Sequence, residues 1–236
     1  MTTHHDEHAP QGESTQHAGN EAPQGPAVHD MSWDEVYGGD QVWSGNPNDA
    51  LVATLDGALA GAPTGRALDV GCGEGADAIH LASRGWDVVA LDVAGPALER
   101  GRRAAENAGE AIADRIEWVQ AGLLDAGLAP QSFDLVSVFY PALARAEDDA
   151  VERSLRELVK PGGTLLMVAH AFVDRERALS HGFDPDLLVT GDDVVAQLGQ
   201  GWQVEREITE RNVTEGAGAH HHADVVIIAR REPMPA

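Results

Sequence analysis

Short apolar runs alternate with amphipathic segments along most of the chain, and each run has the length of a buried strand rather than of a helix. Five such runs lie within the first 170 residues: ALDV from residue 67, WDVVALD from 86, RIEWVQ from 115, FDLVSVFY from 133 and TLLMVAH from 164. Because segments with helical spacing separate them, they predict a parallel sheet covered by helices on both faces. Two further runs, WQVEREI from 202 and ADVVIIAR from 223, have no helix between them and predict an antiparallel pair.

Capping residues predict where the intervening helices begin. Asn46 followed by Pro47 is typical of an N-cap and a first helical position, and Thr190 has the spacing of a capping box with Asp193. The other predicted helices are Pro96 to Gly109 and Val151 to Val159, the second stopped by KPGG at residues 160–163.

The first thirty residues differ in composition from the rest of the chain. They contain no Lys, Arg, Leu, Ile or aromatic residue and are rich in Gln, Gly, Pro and His. Such a segment buries too little apolar area to offset its ordering entropy, which predicts a disordered tail over 1–30 and one folded domain over 31–236. Within the tail, His4 to His8 either bind a metal ion adventitiously or are simply solvated.

Charge, cysteine content and hydropathy restrict the partners and the compartment. The 236 residues carry a net charge of −23, which would repel a polyanion and predicts no nucleic-acid partner. No apolar stretch reaches the ~18 residues of a membrane span, so no membrane partner is expected. One cysteine and no signal-peptide pattern predict a cytoplasmic protein. The oligomeric state stays open.

A glycine turn follows the first predicted strand, and two cofactors compete for it. Gly71, Gly73 and Ala76 satisfy G-x-G-x-x-A, and Asp92 lies about 20 residues further on, as in a dinucleotide site. However, Asp69 stands inside the strand end, where a dinucleotide needs only an apolar residue. Glu74 stands in the turn, where it would repel a pyrophosphate. These two carboxylates favour a cofactor with a positively charged group.

The chain resembles a class I S-adenosylmethionine-dependent methyltransferase over roughly Trp33 to Arg231. The resemblance is carried by LDVGCGEG, Asp92, FDLVSVFY, KPGG and the terminal strand pair. WDEVY and VWSGNPN ahead of the glycine turn are similar to bacterial small-molecule enzymes of the tellurite-resistance and thiopurine methyltransferase type. The resemblance implies a Rossmann-like seven-stranded sheet of order 3-2-1-4-5-7-6, with strand 7 antiparallel. It implies in-line methyl transfer to a small molecule. An NAD-dependent oxidoreductase and a catalytically silent methyltransferase-fold binding module are the alternatives.

The resemblance also implies roles for residues at the strand ends. Asp69 faces the amino group of S-adenosylmethionine, and Asp92 accepts hydrogen bonds from the ribose hydroxyls. Gly122 stands where the family usually has an acid for the adenine, so the N–H of Leu123 or the carboxylate of Asp125 is the expected substitute. The predicted cofactor-binding residues are Asp69, Gly71, Cys72, Gly73, Gly75, Asp92, Val93, Gly122, Leu123 and Phe139.

Candidate acceptor-side residues come from strand ends and from the aromatic segment before the first strand. Tyr140 and His170 are the predicted catalytic bases, and His181 is a third candidate, with packing or surface roles as their alternatives. The predicted lid and substrate wall are Trp33, Tyr37, Trp43 and Tyr140, with a hinge at Gly38 and Gly39, and plain packing is again the alternative.

Two features suggest other chemistry. Cys72 is either a nucleophile or a small filler of the turn, and its place in the turn favours the filler. His220 to His222 resemble a metal site, but three adjacent residues on a strand cannot all point one way. The sequence therefore predicts no metal site.

Overall fold

A computed structural model describes residues 32–180, 184–210 and 223–234 of the chain. These residues form a seven-stranded sheet of order β3-β2-β1-β4-β5-β7-β6, which confirms the predicted topology. The strands are β1 (Arg66–Val70), β2 (Asp87–Asp92), β3 (Ile116–Gln120), β4 (Phe133–Phe139), β5 (Val159–His170), β6 (Trp202–Glu210) and β7 (Ala223–Arg231).

Strands β1 to β5 are parallel, and β7 runs antiparallel to both β5 and β6. The register places Asp69 of β1 between Ala90 of β2 and Ser137 of β4. It also places His170 of β5 directly opposite Asp224 of β7. The carboxyl ends of β1, β2, β4 and β5 therefore meet the beginning of β7 at one edge of the sheet.

Helices cover both faces of the sheet, as predicted. One face packs on α6 and α8 through a core that includes Phe133, Leu155 and Leu198. The other face packs on α2 and α3 through Leu51 and Leu81. The helices are α1 (Trp33–Val36), α2 (Asp49–Asp56), α3 (Ala76–Ser83), α4 (Gly95–Ala108), α5 (Glu110–Ala113), α6 (Ala150–Leu158), α7 (Arg175–Ser180) and α8 (Gly191–Leu198).

Two predicted boundaries are wrong. The N-cap of α2 is Asn48 rather than Asn46, because the Asn48 side chain accepts from the N–H of Ala50 while its own N–H donates to Asp77. Helix α6 ends at Leu158 rather than at the predicted Val159, which is already the first residue of β5. KPGG at 160–163 therefore lies inside the strand and not in a loop before it. The capping box of Thr190 and Asp193 is present at α8.

Candidate active site

The turn between β1 and α3 needs its three glycines. Gly71, Gly73 and Gly75 have φ values of +69°, +52° and +80°, a region that residues with a Cβ rarely adopt. A Cβ on Gly75 would also lie 2.3 Å from the Trp118 ring, whereas a Cβ on Gly71 would meet nothing within 4 Å. The backbone at Gly71 therefore faces open space at the carboxyl end of β1.

Asp92 holds the glycine turn against the end of β2. Its Oδ2 accepts the N–H of Gly73 at 2.8 Å, and its Oδ1 accepts the N–H of Ala94 at 2.8 Å. Burial raises the pKa of the Asp92 carboxyl, and these N–H groups act in the opposite direction. Each oxygen has further acceptor capacity, so the carboxylate can also bind hydroxyl groups.

Asp69 is a buried carboxyl with one orphaned oxygen. Its Oδ1 accepts from the Ser137 hydroxyl at 3.1 Å, while its Oδ2 is buried and has no partner among the described residues. Burial, with the nearby Asp77 carboxyl as the second cause, raises the pKa of Asp69 well above its usual range. Burial likewise raises the pKa of Asp77 to about 6. An incoming cation would relieve this crowding of carboxyls.

Cys72 lies in the glycine turn, between Gly71 and Gly73 in sequence, and is partly buried. Burial, followed by the charges of Asp69 and Asp92, raises the pKa of its thiol well above the usual value. A thiol kept protonated is a poor nucleophile, which favours the role of a small filler in the turn.

Glu74, which sequence reasoning used only as an argument against a pyrophosphate, anchors the segment before α2. Its carboxylate accepts the N–H groups of Val42 at 3.1 Å and Trp43 at 3.0 Å. Arg100 of α4 pairs with the same carboxylate and donates to the carbonyls of Tyr37 and Gly39. Residues 37–43 are thereby fastened beside the glycine turn.

The predicted lid aromatics lie in or next to the segment 37–43 that Glu74 and Arg100 hold. Tyr37 is buried, and its hydroxyl accepts from the indole N–H of Trp43 at 2.9 Å. Burial raises the pKa of Tyr37 to about 12. A Cβ on Gly73 would lie 3.0 Å from this hydroxyl, and Trp33 packs partly buried against the same cluster. Tyr37 and Trp43 therefore meet at Gly73 of the turn. Trp33 packs on the Tyr37 cluster behind them, and Tyr140 pairs with Asp224 instead.

The residues predicted to receive the adenine lie beyond β2 and β3. Val93 is 47% exposed, which leaves an apolar side chain available at the strand end. Leu123 is buried in the core, and the Asp125 carboxylate lies beside Gly122, 3.3 Å from where a Cβ would stand. Phe139, partly buried, ends β4.

Tyr140 and His170, the two predicted bases, come together, and Asp224 joins them. The Tyr140 and His170 rings stack with centroids 4.5 Å apart. Asp224 Oδ2 accepts from the Tyr140 hydroxyl at 2.6 Å, and its Oδ1 lies 3.2 Å from His170 Nδ1. Sequence reasoning missed Asp224, because no local pattern at the start of β7 marks it.

Other predicted features lie outside the described residues: His181, His220 to His222 and the tail over 1–30, including His4 to His8. Within the described ranges, no group of three His, Cys, Asp or Glu side chains could hold a metal ion. No helix in the described part of the chain is long and apolar enough to cross a bilayer.

Known proteins resemble this chain in sequence. A family model described as a methyltransferase domain matches residues 67–163. An uncharacterised methyltransferase of Mycobacterium tuberculosis is 38% identical over 144 residues, which are 60% of this chain and 68% of that protein. The tRNA 5-carboxymethoxyuridine methyltransferase of Escherichia coli is 28% identical over 146 residues, which are 61% of this chain and 52% of that one.

A solved structure shares the fold. Haemonchus contortus phosphoethanolamine N-methyltransferase 2 in complex with S-adenosyl-L-methionine superposes with a TM-score of 0.59 at 16% identity, over 85% of this chain and 56% of that one. In the present sheet β7 lies between β5 and β6, which differs from the 3-2-1-4-5-6 order of a dinucleotide-binding sheet. The fold, the family match and the mycobacterial relative agree: the chain belongs to the class I S-adenosylmethionine-dependent methyltransferases.

Proposed function

We propose that this methyltransferase acts on a small molecule, which binds at the carboxyl ends of β4 and β5 beside the fastened aromatic segment. The observation that carries the proposal is a pair of hydrogen bonds: the N–H groups of Val42 and Trp43 both donate to the Glu74 carboxylate. These bonds hold residues 37–43 beside the glycine turn, where we expect them to leave access for a small acceptor more readily than for a folded nucleic acid.

The residues at the turn fit S-adenosylmethionine. The orphaned Oδ2 of Asp69 can receive a cationic amino group, and Asp92 can accept from the ribose hydroxyls. Open space at Gly71 lets the cofactor approach the backbone. Exposed Val93 offers an apolar surface to the adenine, with Asp125 beside Gly122 as the polar substitute. When bound, the cofactor supplies a methyl group on a sulfonium, already activated for in-line displacement.

Charge supports a small acceptor over a tRNA. The chain has a net charge of −23, and the arginines near the acceptor end are engaged. Arg100 pairs with Glu74, Arg145 with Asp193, and Arg175 with Asp186. A tRNA-binding surface requires cations directed at phosphates, and these guanidinium groups already serve carboxylates.

The chain's own contribution is orientation, exclusion of water and removal of a proton. Orientation supplies most of the acceleration when the donor is activated. Buried Tyr37 and half-exposed Trp43 cover Gly73 of the turn, and Tyr140 and His170 stand where an acceptor proton can be taken. Similarity to the tellurite-resistance and thiopurine type is a weaker guide to the acceptor, since its identity depends on loops rather than on the fold.

Calorimetry and turnover test the proposal. We expect the protein to bind S-adenosylmethionine and S-adenosylhomocysteine but not NAD, and to form S-adenosylhomocysteine with at least one member of a panel of small phenols, amines and thiols. Total tRNA, tested as the acceptor in the same assay, should not support turnover. Turnover with tRNA alone refutes the small-molecule proposal, and cofactor binding without turnover favours the catalytically silent module.

A further inference from the structure

The pairing of β5 with β7 brings Asp224 next to His170, one of the predicted bases. Asp224 lies directly opposite His170 in the antiparallel pairing of β5 and β7, so the two side chains project from the same face of the sheet. Their exposed fractions are low, 10% for the Asp224 side chain and 22% for that of His170. The backbone hydrogen bonds between β5 and β7 therefore fix the position of Asp224 relative to His170.

Tyr140 completes the cluster from the neighbouring strand. Its N–H donates to the carbonyl of Val168 at 2.7 Å, which continues the pairing of β4 with β5 beyond Phe139. Its φ of +46° lies in the left-handed region, which residues with a Cβ rarely adopt. From this position the ring stacks on His170 and the hydroxyl donates to Asp224.

The hydrogen bonds assign the histidine tautomer. A carboxylate accepts hydrogen bonds and donates none, so the contact of Asp224 Oδ1 with His170 Nδ1 requires the proton on Nδ1. In the neutral ring, Nε2 then carries the lone pair. The second oxygen of Asp224 is engaged by the Tyr140 hydroxyl, which fixes the carboxylate in turn.

We propose that Asp224 is a positioning residue that holds Tyr140 and His170 as one proton-accepting unit, and that the acceptor is therefore an O–H or N–H nucleophile. This inference rests on the proposed function. The acceptor oxygen or nitrogen forms a bond to the methyl carbon, the sulfur–carbon bond breaks with its electron pair left on sulfur, and the acceptor proton passes to His170 Nε2. The Asp224 carboxylate stabilises the imidazolium that results.

The need for a base distinguishes classes of acceptor. Phenols and alkylammonium groups have ordinary pKa values near 10, so at neutral pH they must lose a proton to become nucleophiles or neutral products. Thiolates of low pKa and thioethers attack without losing one. A built proton acceptor is an advantage only for the first class, and it argues against a thiopurine-like thiolate.

Nitrogen NMR of the histidine ring tests the positioning role without any acceptor. In 15N-histidine-labelled protein at a pH where the ring is neutral, with His170 assigned through His170→Gln, we expect the Nδ1–H tautomer. Asp224→Ala should release the ring to the commoner Nε2–H form, while Asp87→Ala, an exposed acid at the other end of the strands, should leave it unchanged. An Nε2–H tautomer in the wild type overturns the proposal even if the variant does not fold.

Turnover of graded phenols tests the acceptor class. With S-adenosylmethionine, Asp224→Ala should lower kcat about 100-fold on a weakly acidic phenol, the effect of losing a general base. The loss should shrink to less than about threefold on nitrophenols that are already ionised, because these need no base. Cofactor affinity should stay within about twofold, since β4 and β5 separate Asp224 on β7 from the glycine turn after β1.

The outcomes separate this inference from the function on which it rests. An equal loss across the phenol series, or turnover of thiols alone, refutes the acceptor class while leaving small-molecule methyl transfer intact. No turnover of any acceptor refutes the proposed function and the acceptor class together, and the His170 spectrum still decides the role of Asp224 by itself.

Discussion

Replacing Glu74 by alanine should release the aromatic segment from the glycine turn. The side chain of Glu74 is only 7% exposed, and its carboxylate holds the N–H groups of Val42 and Trp43 together with the Arg100 guanidinium. Alanine removes all three contacts at once. Residues 37–43 then keep the bonds of Arg100 to the carbonyls of Tyr37 and Gly39, their backbone bonds to α1, and the packing of Tyr37 and Val42.

The magnitude follows from the hydrogen bonds lost. Each bond from an N–H to an ionised acceptor contributes about 1.5–3 kcal/mol, and the distances of 3.1 and 3.0 Å place both at the lower end. Docking of the segment should therefore weaken by about 3 kcal/mol, which is about 100-fold in the docking equilibrium. Glu74→Gln keeps one acceptor oxygen and should lose about tenfold.

Hydrogen exchange measures this equilibrium directly. The amides of Val42 and Trp43 are protected by Glu74, so their exchange should accelerate about 100-fold in Glu74→Ala, while amides of β4 and β5 stay slow. Glu99→Ala is the matched control, because Glu99 is an exposed acid that pairs with Arg103 on α4. Acceleration below about threefold in a folded Glu74→Ala protein would refute the fastening.

Three further predictions concern the cofactor, pH and the tail. Asp92→Ala should weaken S-adenosylmethionine binding roughly 10- to 100-fold by calorimetry; unchanged affinity in a folded variant contradicts the ribose contact. Burial raises the pKa of Asp77 to about 6 in the folded state, against near 4 in the unfolded chain, so the folded state holds the extra proton between these pH values. The free energy of unfolding of the wild type should therefore fall relative to Asp77→Asn as the pH rises from about 4 to about 6, by at most about 3 kcal/mol, and a constant difference in denaturation experiments counts against it. Deleting residues 1–28 should change the melting temperature by less than about 2 °C and leave cofactor affinity unaltered; a larger drop shows that the tail docks.

Local pattern was enough to place most of the secondary structure. A strand buried on both faces needs apolar residues at successive positions, so the apolar runs indicated the strands. The glycines at 71, 73 and 75 indicated a turn whose positive φ values only glycine adopts easily. The strand order came from the resemblance of these motifs to a family. The N-cap of α2 was misplaced by two residues because Pro47 favours Asn46 locally, whereas the bond from the N–H of Asn48 to Asp77 on α3 fixes Asn48 as the cap.

Contacts between distant residues were decided by the tertiary structure. Glu74 lies about 30 positions from the amides that it holds, and nothing in its own neighbourhood indicates them. Asp224 is 84 positions from Tyr140 and 54 from His170. They meet because β7 inserts antiparallel beside β5, in a register that sets Asp224 opposite His170. Periodicity fixes which face a side chain occupies, but strand order and register determine its partner, and those depend on the packing of the whole sheet.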